Sequence, residues 1–117
     1  MEKMEYDKKN VFARIIRKEL KADIVYEDNF MLCFHDKDPL GEVHLLIIPK
    51  GEYLDYADFV KKATDEEKKH FFETIPEIAK QNNLTDYRLL THRGKNGGQT
   101  VFHFHVHLIY DRNYSLR

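Results

Sequence analysis

The sequence predicts an α+β fold, on three observations. Short β-rich runs come in hairpin-sized groups instead of alternating singly with helices. Two segments carry apolar residues at helical spacing. The run Val101-Phe102-His103-Phe104-His105-Val106-His107-Leu108-Ile109 alternates histidine with apolar residues, the period of a strand. At 117 residues, with no repeat, low-complexity tract or linker, the chain reads as one domain, close to the size where pairing with a second copy adds useful burial.

Val11, Phe12, Ile15, Ile16 and Leu20 recur at helical spacing and predict an amphipathic helix near residues 9 to 21, with Arg14, Arg17, Lys18 and Lys21 on its solvated face. Ile24 to Glu27, Phe30 to Phe34 and Val43 to Ile48 are β-rich and are separated by Asp28-Asn29 and by Asp38-Pro39-Leu40-Gly41, so they predict an antiparallel meander. Thr64-Asp65-Glu66-Glu67 is a capping box that opens a second helix. Its core face is Phe71, Phe72, Ile75, Ile78 and Ala79, and Pro76 inside that stripe predicts a kink. Tyr87 to His92 then leads as a strand into a glycine loop, and the histidine strand follows, giving five strands and two main helices.

Composition narrows the function classes. With 19 basic against 20 acidic residues, no large field of either sign is expected, which argues against nucleic acid or a membrane as partner. The N-terminal Met1-Glu2-Lys3-Met4-Glu5 offers no apolar run for a signal peptide, so a soluble, cytoplasmic protein is expected. Cys33, the single cysteine, sits in Met31-Leu32-Cys33-Phe34 and reads as a buried apolar residue.

The histidine run carries the chemistry. Residues two apart on a strand are separated by roughly 6.5 to 7 Å, so three imidazoles on one face are wide enough to span a phosphate. A solvated face would more cheaply use Lys, Glu or Thr, whereas here three of the seven histidines fall within five positions between apolar neighbours. Zinc is the stronger rival, because His-x-His on a strand can chelate it. The preceding loop, Arg93-Gly94-Lys95-Asn96-Gly97-Gly98-Gln99-Thr100, weighs towards phosphate. Alone, its glycines would be a turn; at the mouth of the row they can bring backbone N–H groups to an anion, followed by an amide and a hydroxyl. A neutral imidazole is nucleophilic without prior deprotonation, so the central His105 could attack an α-phosphorus and split one displacement into two.

The stretch Gly97 to Ile109 resembles the signature of the histidine-triad (HIT) superfamily. Val11-Phe12 with Ile15-Ile16-Arg17-Lys18-Glu19, then Phe34-His35-Asp36, then Val43-His44-Leu45-Leu46-Ile47-Ile48-Pro49-Lys50, are similar in order and spacing to its Hint-like branch of purine nucleoside phosphoramidases. The similarity runs from about Val11 to Ile109.

This resemblance implies a homodimer whose two five-stranded sheets continue into ten strands. It also implies hydrolysis of purine nucleoside 5′-monophosphoramidates or related AMP conjugates, with no obligatory cofactor and no metal. His105 would be the nucleophile, His103 and His107 would orient it and contact phosphate, and His44 would be a supporting fourth histidine. Thr100 stands where the pattern usually has Ser, and Gly98 and Gln99 would complete an anion cradle. Asp36 would accept from the ribose hydroxyls beside His35 and Lys37, with Val11, Phe12, Ile15, Leu20, Phe34 and Leu46 forming a purine slot. His92 replaces the usual Asn at the phosphate end, and the Trp-containing tail of some relatives is missing, so the leaving-group preference is open. Three other readings stay open: a Fhit-type dinucleoside polyphosphate hydrolase, favoured by Gln99-Thr100-Val101 and disfavoured by Phe34-His35-Asp36; a nucleotide-binding or interaction module with little turnover; and a zinc protein using His103, His105 and His107.

Overall fold

A computed structural model describes residues 4–114. Residues 1–3 and 115–117, which bear on the expected lack of a leader and of a Trp-containing tail, lie outside the described residues. The elements run α1 (Val11–Ile16), β1 (Ile24–Glu27), β2 (Met31–His35), β3 (Val43–Pro49), α2 (Tyr56–Lys62), α3 (Asp65–Gln81), β4 (Arg88–Leu90) and β5 (Val106–Tyr110). The strands form one antiparallel sheet in the order β1-β2-β3-β5-β4. This is the expected α+β class with five strands.

Strands β2 and β3 are buried on both faces, and alternate side chains feed two cores. Met31, Cys33, Leu45 and Ile47 pack with Phe59 of α2, with Phe71, Ile75 and Ile78 of α3, and with Phe104. Leu32, Phe34, Leu46 and Ile48 pack on the opposite face with Phe12 and Ile15 of α1. In β5 the alternation puts Val106 and Leu108 in the first core, while His107 faces Leu46 across the ladder on the α1 side. The site therefore belongs to the thinner, α1-covered face.

Helix α1 is shorter than the apolar spacing suggests, because the chain turns after Arg17. Lys18 adopts a left-handed conformation (φ 65), Glu19 N–H donates to the Arg14 carbonyl at 2.9 Å and Lys18 N–H to that of Ile15 at 3.0 Å, which together make a Schellman stop. The turn folds Leu20 and Ala22 back against the Phe12 and Ile15 cluster. Arg17 is not simply solvated: it pairs with Glu19 at 2.6 Å and donates to the Lys8 carbonyl at 2.7 Å. The short α2 was not expected from the sequence, since Asp55 caps it but only Phe59 is buried, too few apolar positions to show a period. Thr64 and Glu67 do form the expected capping box of α3. Phe72 departs from the expected core face and is 43% exposed. The helix continues through Pro76, on its exposed side, to Gln81.

The histidine strand begins at Val106 and not, as its alternation predicts, at Val101. Residues 101–105 leave the ladder, and Phe104 N–H donates instead to the Tyr53 carbonyl at 2.7 Å. At the level of Pro49 the ring of His103 takes the place of a backbone donor, its Nε2 lying 2.8 Å from the Pro49 carbonyl oxygen. A side chain thus satisfies the acceptor that strand pairing would otherwise fill.

Candidate active site

The hydrogen bonds fix the proton positions of the histidine row. A carbonyl oxygen can only accept, so His105, whose Nδ1 lies 2.7 Å from the His103 carbonyl, carries its proton on Nδ1. Its Nε2 keeps a lone pair, and the ring borders the main cleft. Phe12 lies nearly edge-on to this ring, centroids 4.8 Å apart, and Thr91 Oγ1 donates to the His105 carbonyl at 2.6 Å. Burial lowers the affinity of His105 for a second proton, so it stays neutral at pH 7.

His44 and His107 form a directed relay. Leu40 N–H donates to His44 Nδ1 at 3.0 Å, so the single proton of neutral His44 is on Nε2. That group lies 2.8 Å from His107 Nδ1 and donates to it. The proton of His107 is then on Nε2, on the side of the ring away from His44. His105 and His107 have ring centroids 5.1 Å apart, which sets a lone pair and an N–H side by side at the cleft. Burial holds His44 below the usual imidazole range and pushes His107 down to about 4. Sequence reasoning supplied these residues but not the Leu40 amide that sets the direction.

The cleft has a volume of about 670 Å³. Its apolar wall includes Val11, Phe12, Ile15, Leu20, Phe34 and Leu46, so the structure brings these six residues together. His35, Asp36, Lys37, Thr100, His105 and His107 supply polar lining. One Asp36 oxygen lies 3.4 Å from His44 Nε2 and the other accepts from Asp38 N–H at 2.8 Å, so this carboxylate reaches the relay as well as the cleft. The turn after α1 adds Lys21 and Asp23 to the lining. Lys21 was expected on a solvated helix face, and without knowledge of that turn no pattern in the sequence places it here.

Other expected site residues lie elsewhere. His103 is fully buried and does not line the cleft; its Nε2 is engaged by Pro49 and its Nδ1 by the Tyr6 hydroxyl at 2.6 Å. It cannot join His105 and His107 as a third zinc ligand while those bonds stand. Gln99 does not offer its amide to an anion. Its Oε1 accepts from Gly94 N–H, and its Nε2 donates to the carbonyls of Leu54 and Val101, at 2.8, 2.8 and 3.0 Å.

The N–H groups of Gly97, Gly98 and Gln99 are likewise turned inward, onto the carbonyls of Gly94, Lys95 and Gly94. Gly98 works through conformation instead: its φ of +94 and a 3.1 Å approach of His92 Nδ1 to the position of a Cβ both favour glycine. The Thr100 and Val101 amides take no part in this internal network, and both residues line the cleft. His92 donates from Nδ1 to the Gly97 carbonyl at 2.8 Å and stands edge-on to His107, centroids 5.5 Å apart, and is not among the residues that line the cleft.

One set of potential metal donors does converge. Asp36, His44 and His107 place donor atoms within 4.8 Å of one another. In the relay, however, His44 Nε2 is protonated and directed at His107. A metal bound there would have to displace that proton and break the hydrogen bond.

A neutral imidazole with a free lone pair, beside an imidazole N–H at the end of an apolar cleft, is a constellation suited to displacement at phosphorus, and on this sheet it coincides with a known family. The chain belongs to the HIT domain family, whose model matches residues 17–114. It is 52% identical over 106 residues to an uncharacterized HIT-like protein of Rickettsia prowazekii, covering 89% of this chain and 88% of that protein. The purine nucleoside phosphoramidase of Escherichia coli is 33% identical over 101 residues, covering 85% of this chain and 84% of the enzyme. Among solved structures, a HIT family hydrolase from Legionella pneumophila superimposes with a TM-score of 0.83 at 32% identity, covering 91% of this chain and 96% of that one.

Proposed function

We propose that the protein is a Hint-like nucleotide hydrolase that cleaves purine nucleoside 5′-monophosphoramidates or related AMP conjugates and releases a nucleoside monophosphate. The observation that carries this reading is the fixed tautomer of His105, whose Nε2 lone pair meets the cleft because Nδ1–H is held by the His103 carbonyl. In the first step Nε2 attacks the α-phosphorus, a bond forms between them, and the bond from phosphorus to the leaving amine breaks. The amine takes a proton from a donor at that end of the cleft; His107 Nε2–H and the Thr100 hydroxyl are the groups in place.

In the second step water attacks phosphorus and gives a proton back to the group that protonated the amine, the His105–phosphorus bond breaks, and the lone pair returns to Nε2. Both covalent states of a P–N substrate contain the same bond type, so the first exchange is close to balanced. The amides of Thr100 and Val101 would receive the phosphoryl oxygens, and Asp36 the ribose hydroxyls. No metal is assigned a role in either step.

A homodimer and a cytoplasmic location complete the proposal. Strand β4 is the outer strand at one end of the sheet, only three residues long, with Leu89 46% exposed, and pairing such an edge with a second copy would satisfy its free backbone groups. Sedimentation at micromolar concentration tests the dimer.

The activity is tested by AMP release from adenosine 5′-monophosphoramidate in excess EDTA, with wild type, His105→Ala and His105→Gly compared. Release by wild type and its loss in both variants supports the reading. No release by wild type while AMP still binds overturns the substrate class.

A further inference from the structure

We propose that Tyr6 is a positioning residue for the His105 nucleophile, acting through the buried ring of His103. Tyr6 precedes α1 and lies outside the 17–114 segment matched by the family model.

Its bond direction follows from the acceptors around His103. His103 Nε2 faces the Pro49 carbonyl at 2.8 Å and must hold a proton. Burial pushes the imidazole down to about 4, so at pH 7 the ring has only that one proton and Nδ1 is an acceptor. The Tyr6 hydroxyl, 2.6 Å away, therefore donates to Nδ1. Burial also raises the phenol above its ordinary range, which keeps this donor protonated.

The result is a connected path from the N-terminal arm to the reacting atom: Tyr6 O–H to His103 Nδ1, then the His103 carbonyl to His105 Nδ1–H at 2.7 Å. Tyr6 and Phe12 both stand edge-on to the His103 ring, with centroids 5.7 and 6.3 Å away. The arm itself is tied down by Lys8 to Glu52 at 2.8 Å and by Arg17 to the Lys8 carbonyl at 2.7 Å. Tyr6 does not line the cleft, so it has no direct route to substrate affinity. Removing its hydroxyl leaves a buried acceptor unpaired, and the ring can then tilt or admit water, shifting the carbonyl that orients His105.

The test compares wild type, Tyr6→Phe and Lys8→Ala, each confirmed folded by thermal unfolding. The rate arm rests on the proposed phosphoramidase activity, whereas nitrogen-15 NMR of the histidine rings needs no turnover and separates the two claims. For Tyr6→Phe we expect kcat on adenosine 5′-monophosphoramidate to fall ~10-fold with KM changed less than about two-fold. The His103 Nδ1 resonance should move toward that of a free acceptor, and the His105 Nδ1–H signal should broaden. Lys8→Ala should match wild type in all three readouts, showing that the phenol and not arm docking is responsible. The inference is overturned if Tyr6→Phe retains wild-type kcat, if its His105 Nδ1–H signal is unchanged, or if Lys8→Ala lowers kcat as much. Should wild type fail to cleave the substrate, the two NMR signals alone decide the role of Tyr6.

Discussion

Replacing His44 with alanine removes the middle of the relay that runs from the Leu40 amide to His107. The ring is 3% exposed, and both of its nitrogens are engaged, one by Leu40 N–H at 3.0 Å and one by His107 Nδ1 at 2.8 Å. His107 would lose the donor that fixes its tautomer, and an unpaired buried acceptor costs about 1 to 3 kcal/mol. If that orientation is needed only in the transition state, kcat/KM on adenosine 5′-monophosphoramidate should fall roughly 10- to 100-fold, since ~1.4 kcal/mol is tenfold in rate. The effect should pass through His107 and not add to it. A double-mutant cycle tests this: His44→Ala with His107→Ala should be about as slow as His107→Ala alone. Multiplicative losses in the double variant would refute the relay.

Stability should fall as acidity rises through the histidine window. His103 is fully buried and pushed down to about 4, so below pH 6.5 the unfolded chain binds a proton that the native state excludes; at pH 5 this one residue costs about 2 kcal/mol, and urea midpoints at pH 7 and pH 5 should show the loss where a flat profile would contradict it. Gln99→Glu would set a carboxylate against the Leu54 and Val101 carbonyls that now accept from Nε2, and chemical denaturation should show it destabilised by ~2 to 4 kcal/mol; unchanged stability with a raised KM would instead restore Gln99 as a phosphate contact. Gly98→Ala should cost ~1 to 2 kcal/mol for its left-handed backbone and crowd His92, whereas equal stability would show that the loop adapts freely.

The apolar wall of the cleft and the Asp36 segment were legible in the sequence because they lie on elements whose local patterns are strong and whose resemblance to the family is ordered. The capping box of α3 was legible for a simpler reason: its chemistry is contained in four consecutive residues. The end of α1 was not. Its left-handed residue is Lys18, which lacks the glycine signal of a stop, and the turn is held by the packing of Leu20 and by Arg17.

The histidine run shows the limit of periodicity most clearly. Alternation from Val101 to Ile109 correctly assigns a period of two to residues 106–109, but it cannot tell which backbone groups find a partner across the ladder. Pro49 accepts from an imidazole and Tyr53 from Phe104, and neither choice leaves a local trace. For the same reason His103 looked equivalent to His107 as a phosphate contact, and Gln99 looked like part of an anion cradle. Tyr6 reaches His103 across 97 positions, a contact that only the folded chain reveals.

The central claim is that His105 Nε2 becomes covalently bound to the nucleotide. The most direct measurement is rapid acid-free quenching of wild type with a slowly hydrolysed adenosine 5′-phosphoramidate, followed by intact-mass and peptide mass spectrometry. A transient AMP adduct should form on His105, decay at the rate of AMP release and be absent in His105→Ala. Steady AMP release with no adduct at any time, or an adduct on another residue, would contradict it.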